Sequence, residues 1–464
     1  MLEGVIGAQR AERLHTVAAD FRSRLGNRVI WNFSSTAVSG GVAEMLQVLV
    51  GYVEDLGVDM RWTVISGDAD FFTVTKRLHN RIHNLPGDGG PLGPAEAAHY
   101  DEVLAANAAA LRDQVRPGDL VLLHDPQTAG MTSALVSRGA HVVWRCHIGA
   151  DRQTDLTRSA WEFLRPRIAG ADGYIFSRRA YTPSYLPDRE IWVIPPSIDP
   201  YSAKNQYLDP ANVRAILSLT GLIDGTRVEA PGTFVRRDGS AGTVTRPAVV
   251  VAEDLPDAGE PLLVQVSRWD RLKDMIGVMR GFADHVAGYG DARLILAGPA
   301  AAAVADDPEG AAVYAECLAA WHALPIDRRS RVVLATLPMA DVDENAAMVN
   351  ALQRQAWVIA QKSLAEGFGL TVAEGMWKAR PVVGSAVGGI QDQIAEGTGI
   401  LLPDPTDLSA FGKAVRDLLD DPARAERMGV AAQAFVRENY LGDVHLIRYA
   451  QLFGTLMNAE PRRS

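Results

Sequence analysis

At 464 residues the chain is about three times the ~150-residue size typical of a domain, so two large domains are expected, and 47% hydrophobic residues can supply a core for each. Its 46 Lys+Arg against 56 Asp+Glu give a net charge of -10, which argues against gripping nucleic acid or an anionic membrane through bulk charge. The two cysteines, Cys146 and Cys317, are too far apart for a C-x-x-C motif, which argues against a disulfide framework or zinc ribbon and leaves buried, reduced thiols as the expectation.

The opening MLEGVIGAQRAERLHTVAADF mixes acids and bases and lacks the cationic-then-apolar order of a signal peptide. No later run approaches the ~18 apolar residues of a membrane span, so a cytoplasmic protein without a membrane partner is expected. Short runs rich in valine and isoleucine then alternate with stretches of helical period, the pattern of parallel sheets with crossover helices. In chain order the first set is RVIWNF (28–33), RWTVIS (61–66), DLVLLH (119–124), HVVWRC (141–146), GYIFS (173–177) and EIWVI (190–194). Between Pro195 and Pro261 the rhythm stops, and a Pro-, Gly- and Asp-rich segment suits a connection plus a surface excursion near residues 224–260, with a hairpin as one form. The rhythm resumes with PLLVQVS (261–267), ARLILAG (292–298), RVVLAT (331–336), WVIAQ (357–361), PVVGS (381–385) and GILL (399–402) and closes on amphipathic helices. The fold class is therefore α/β, with two doubly wound, Rossmann-like domains in tandem. The first spans 1–199, with a C-terminal helix at about 440–464 packing back on it, and the second spans 200–439. Such sheets bind ligands beyond the carboxyl ends of their strands, so two facing domains would form a cleft.

The densest chemistry lies in SLAEGFGLTVAEGMWKARPVV, residues 363–383. Glu366 and Glu374 flank a turn in which Gly367 and Gly369 leave backbone N–H groups open, and a helix beginning near Leu370 and Thr371 adds the positive end of its dipole. An anion suits that turn, yet a bare phosphate has no use for two carboxylates. A sugar nucleotide does: hexose at Glu366, diphosphate over the amides, ribose at Glu374. On spacing alone, a solvated loop acid and a surface or capping acid explain the two glutamates about as well. Upstream, VSRWDRLKD places Arg268 and Lys273 across a strand-to-helix turn as phosphate clamps. In the first half, Gly40 and Gly41 open a helix after the first strand, without the G-x-G-x-x-G pattern of a dinucleotide site. His147 ends a strand, Lys76, His79 and Asn80 share a helix face, and Asp125 and Gln127 follow the third strand. These five polar groups, Lys76, His79, Asn80, Asp125 and Gln127, are the candidates for a small polyhydroxylated acceptor.

The acid–x7–acid turn, the upstream Arg and Lys, and the Gly-Gly loop together resemble the large family of retaining GT-B glycosyltransferases that holds sucrose and trehalose synthases and many mannosyltransferases. Over most of the chain, VSGGVAEML, GDADFFTVTKRLHNRIH, HDPQ, WRCHI, VSRWDRLKD and SLAEGFGLTVAEGMWKARPVV resemble the trehalose glycosyltransferring synthases, which join a nucleotide-activated glucose to free glucose. The resemblance implies that Glu366 contacts donor-sugar hydroxyls, that Gly367, Phe368 and Gly369 approach the sugar, and that the Leu370 and Thr371 amides hold the diphosphate. It further implies that Glu374 holds the ribose and that Arg268 and Lys273 neutralise the leaving phosphate. His147 faces the donor sugar, and Gly41, on the acceptor-side loop, joins the donor-binding set. Without a carboxylate nucleophile, retention implies front-face attack, with the departing phosphate taking the acceptor's proton.

No cofactor and no metal are implied; the substrates are NDP-glucose (UDP-, ADP- or GDP-glucose) and a free sugar, and a homodimer is left open. The rival readings are a lipid-linked or other small-sugar acceptor, a GT-B nucleotide-sugar epimerase, a non-catalytic sugar-nucleotide-binding protein, and a metal-dependent transferase built on Asp68 and Asp70 of GDAD.

Overall fold

Twelve apolar runs become twelve parallel strands, shared equally between two sheets. The computed structural model describes residues 2–37, 41–225, 230–300 and 308–458. Its contacts divide the chain into one unit of Met1–Ser197 with Tyr440–Ser464 and a second of Ile198–Asn439.

In the first unit the strands are β1 (Ile30–Ser34), β2 (Met60–Val64), β3 (Leu120–His124), β4 (His141–Cys146), β5 (Gly173–Phe176) and β6 (Ile191–Val193), ordered β2-β1-β3-β4-β5-β6. Every residue of β3, β4 and β5 is buried, which is why these segments read as continuous apolar runs rather than alternating ones. Trp144 packs edge-on to Trp161 and Phe176, with ring centroids 6.2 and 6.1 Å away. The helix Gly442–Met457 packs on the helix Ala8–Leu25, where Phe21 and Phe453 lie 6.3 Å apart and Arg10 grips the buried Asp443 carboxylate at 2.7 Å. The strand order reverses between β1 and β3, the crevice where open α/β sheets take ligands.

The second unit contains β7 (Thr233–Val235), β8 (Ala241–Thr243), β9 (Val249–Val251), β10 (Leu262–Val266), β11 (Arg293–Pro299), β12 (Val332–Leu337), β13 (Val358–Gln361), β14 (Val382–Ser385) and β15 (Ile400–Leu402). Its main sheet is ordered β15-β14-β13-β10-β11-β12-β9, so the reversal falls between β10 and β13. The segment read as a surface excursion is a β7–β8 hairpin followed by a true sheet strand: β9 runs antiparallel to β12, with Val250 opposite Ala335. Three valines behind Pro247 are too short a run to show a period, which is why they read as connection. The hairpin is fastened to the helix Val342–Gln355, because Arg236 forks onto Asp341 at 3.0 and 2.7 Å and the backbone N–H groups of Thr245 and Arg246 donate to Glu344 Oε1 at 2.6 and 2.8 Å. Cys146 and Cys317 are both buried free thiols. Among the described residues no helix is long and apolar enough to cross a membrane.

Candidate active site

β10 and β13 are neighbours on either side of the reversal, and the segments that leave their carboxyl ends, 267–274 and 362–369, are stitched together. Buried Gln265 donates through Nε2 to the Lys273 carbonyl (2.8 Å). Buried Gln361 donates to Ser363 Oγ (3.0 Å) and accepts from Thr371 Oγ1 (2.8 Å). Leu364 N–H donates to the Leu272 carbonyl at 2.7 Å. Lys362 is wholly buried, with its ammonium on the Asp274 carboxylate and on the Pro405 carbonyl. Asp274 in turn caps the helix Met275–His285 by accepting from Gly277 N–H at 3.1 Å. On this frame Lys273 Nζ and Glu366 Oε2 stand 2.6 Å apart, and Ser363 Oγ donates to the same carboxylate oxygen at 3.4 Å. A fixed ammonium beside a fixed carboxylate can serve a phosphate oxygen with one group and a hydroxyl with the other.

The turn beyond Glu366 closes in a left-handed conformation at Gly369 (φ 84°), which opens the helix Leu370–Trp377. The N–H groups of Leu370 and Thr371, in its first turn, have no carbonyl partner inside the helix and suit an anion. Gly389 makes the turn possible from outside: its N–H donates to the Gly367 carbonyl (3.0 Å), and a Cβ there would lie 2.7 Å from Phe368 Cα. Glu374, a turn into the helix, is 4% exposed. Its Oε1 is 3.6 Å from Lys204 Nζ, while Oε2 is buried with no hydrogen-bond partner among the described residues, an acceptor that calls for a donor. Lys378 packs beneath it, donating to Asn205 Oδ1 (2.9 Å) and the Glu374 carbonyl (3.1 Å); burial pushes its ammonium well below the usual lysine range, opposed by the Glu374 carboxylate. Of the two expected clamps, Lys273 forms a short ion pair with Glu366. Arg268 is 55% exposed and donates to Asp270 at 3.3 Å.

In the first unit, His147 follows β4 and Asp125 follows β3, and the structure brings them together: His147 N–H donates to Asp125 Oδ1 at 2.7 Å. Asp125 holds a left-handed backbone (φ 63°), and burial raises its carboxyl to about 7 despite that hydrogen bond and the nearby Arg145 charge. Gln127 is half-buried, with its Oε1 out of solvent and unpartnered. Lys76, His79 and Asn80 lie on the helix Ala69–Ile82 in different surroundings. Lys76 is exposed, His79 packs edge-on to His83 with centroids 4.9 Å apart, and Asn80 is covered by the turn at Gly87. Asp68 caps that helix through Phe71 N–H and pairs with His99 at 2.9 Å, so a capping role accounts for the GDAD acid. Gly41 begins the helix Gly41–Asp55; Gly40 lies outside the described residues. Sequence reasoning missed Gln265, Gln361, Lys362, Asp274 and Gly389 around the turn, and His124 and Arg145 behind His147. The available sign was a polar residue ending or interrupting an apolar run, as in LVQVS, VIAQK, LVLLH and VVWRC.

Two doubly wound sheets, the second reversing beside an acid–glycine–acid turn with a lysine clamp, define a GT-B glycosyltransferase. The fold agrees with that of a UDP-forming α,α-trehalose-phosphate synthase from Burkholderia vietnamiensis, with a TM-score of 0.67 at 17% identity over 93% of this chain and 100% of that one. Residues 32–183 match the family model described as trehalose synthase, N-terminal domain, and residues 252–435 match glycosyl transferases group 1. Trehalose synthase of Rubrobacter xylanophilus is 33% identical over 97% of this chain and 99% of its own length, and that of Pyrococcus horikoshii 31% over 98% and 95%. The chain belongs to the trehalose synthase family of retaining GT-B glycosyltransferases.

Proposed function

We propose that the protein transfers glucose from a nucleoside-diphosphate glucose to free glucose, forming α,α-trehalose with retention at the donor carbon. The observation that carries this reading is the Lys273–Glu366 pair, 2.6 Å apart at the reversal point of the second sheet. Lys273 takes the phosphate oxygens and their growing charge as the glycosidic bond breaks, helped by the Leu370 and Thr371 amides and by the guanidinium of Arg268. Glu366 accepts from sugar hydroxyls, with Gly367, Phe368 and Gly369 lying along the ring. The ribose hydroxyls donate to the unpartnered Glu374 oxygen. In the first unit His147 is assigned to the donor sugar and Gly41 to the donor-binding set, while Asp125 and Gln127, with Lys76, His79 and Asn80 on their helix, are assigned to the acceptor. The chain then acts by positioning and charge stabilisation, and the leaving phosphate removes the acceptor proton.

This assignment requires no metal, because lysine, arginine and backbone amides neutralise the diphosphate; chelation by EDTA should leave the rate unchanged, and restoration of a lost rate by Mn²⁺ would contradict it. A panel of UDP-, ADP- and GDP-hexoses offered with free sugars, read by mass spectrometry, tests the transfer. A dihexose from at least one NDP-glucose with glucose is expected. Turnover without any acceptor, or no dihexose from any pair, would refute it. The small-molecule substrates and the absence of a membrane-spanning helix among the described residues fit a cytoplasmic enzyme.

A further inference from the structure

Behind His147 runs a chain of buried polar side chains that the packing of the sheet does not require. His147 Nε2 lies 3.0 Å from His124 Nδ1, and His124 Nε2 lies 3.1 Å from Asn32 Oδ1. The two rings stack at 16° with centroids 5.3 Å apart, and Asn32 and His124 are buried in β1 and β3, beside the reversal of the sheet. With the Asn32 amide presenting Oδ1 to the ring, and its Nδ2 buried without a partner among the described residues, His124 carries its proton on Nε2 and offers a lone pair at Nδ1. That lone pair requires a proton on His147 Nε2, which leaves His147 Nδ1 unprotonated. Among the described residues Nδ1 has no partner.

The groups around the pair come from three elements. Arg145 and Cys146 belong to β4, Asp125 follows β3, and His445 and Tyr449 lie on the helix Gly442–Met457. Arg145 is itself buried, donating to Tyr449 Oη, to His445 Nε2 (3.3 Å) and to the Ile194 carbonyl (3.2 Å). Burial first, and the Arg145 charge second, disfavour protonation of both rings: His124 is lowered to about 3 and His147 falls well below the usual histidine range. The Asp125 carboxyl, raised by its own burial, does not reverse this.

We propose that Asn32 and His124 are positioning residues that hold His147 in its neutral Nε2–H tautomer, so that Nδ1 accepts a hydrogen bond from a sugar hydroxyl. The proposal rests on the reading that His147 faces a sugar. It adds a direction: His147 takes a hydrogen bond and does not give one, so a substrate analogue with a hydroxyl replaced by an acceptor-only group loses this contact.

The direct test is ¹⁵N NMR of the intact enzyme labelled at its histidine rings, with the His147 signals assigned by His147→Gln. A protonated Nε2 and an unprotonated Nδ1, unchanged from about pH 5.5 to about pH 8, are expected. A protonated Nδ1, or a titration inside that range, would overturn the proposal. A kinetic test uses Asn32→Asp. The added carboxylate favours protonated His124, which donates from both nitrogens and forces His147 Nε2 to accept, turning Nδ1 into a donor. Relative to the wild type at the same pH, the kcat of this variant should be at least ~10-fold lower on the acid side and recover as pH rises. A variant profile superimposable on the wild type would overturn the proposal, and if the variant fails to fold the wild-type spectrum decides alone. Absence of any sugar transfer would strike the proposed function and leave the tautomer reading intact; the wrong tautomer with normal transfer would do the reverse.

Discussion

Three residues separate the roles assigned to the acid–glycine–acid turn. On the proposed assignment Lys273 meets charge that grows as the phosphate departs, so Lys273→Ala should lower kcat by ~10²-fold or more. Glu374 is assigned a ribose that is the same in ground and transition states. Glu374→Gln should therefore raise the donor KM with little change in kcat, and the opposite pattern in steady-state kinetics would contradict the assignment. Gly389 tests the turn without touching any charge: a methyl group there would be 2.7 Å from Phe368 Cα, so Gly389→Ala must move the segment that carries Glu366. A donor KM at least ~10-fold higher, with a nearly unchanged melting temperature, is the expected outcome. The two glutamates and Lys273 were legible because their residue types and spacing have a chemical purpose that an isolated loop lacks. Lys362 and Asp274 were not, because a buried lysine announces itself only once the fold supplies its partner at a distance of 88 positions in sequence. Arg268 shows the limit in the other direction, since its spacing from Lys273 suggested two equivalent clamps and the structure gives them unlike surroundings.

At the level of elements, the twelve parallel strands could be read directly, because strands covered on both faces by helices appear as unbroken apolar runs. The strand β9 could not, since three residues bound only at one edge leave no period and follow a proline. Charge fastens the β7–β8 hairpin to the helix Val342–Gln355. Asp341 caps the helix Val342–Gln355 and takes a forked pair from Arg236, which first among its contacts lowers its carboxyl to about 2. A carboxyl lowered in the folded state adds stability above its unfolded value near ~4 and loses it as pH falls toward the folded value. Asp341→Asn keeps a capping side chain and removes the charge, so it isolates the ion pair. Chemical denaturation should show the variant about 1 kcal/mol less stable at neutral pH, as for a partly exposed forked pair, with the difference vanishing as the pH approaches about 2. A difference independent of pH would show that the hairpin is held by packing alone.

For the whole molecule, the order of each sheet explains where chemistry gathers. In each unit the strand order reverses once among its parallel strands, and polar groups gather there: Lys273 and Glu366 beyond the ends of β10 and β13 in one, and in the other Asn32 within β1 and His124 at the end of β3, joined by His147 after the next strand, β4. Strand order is not written in any local pattern, so the sequence located the candidate groups one by one and the topology assembled them. The central claim is the product, and one measurement tests it most directly: incubate the enzyme with the NDP-glucose it accepts and with ¹³C-labelled glucose, and record the anomeric NMR signals. The account predicts one α-anomeric environment for both rings and no reducing end, the signature of α,α-1,1-linked glucose. A reducing disaccharide, a β-anomeric signal, or no label in any disaccharide would contradict it.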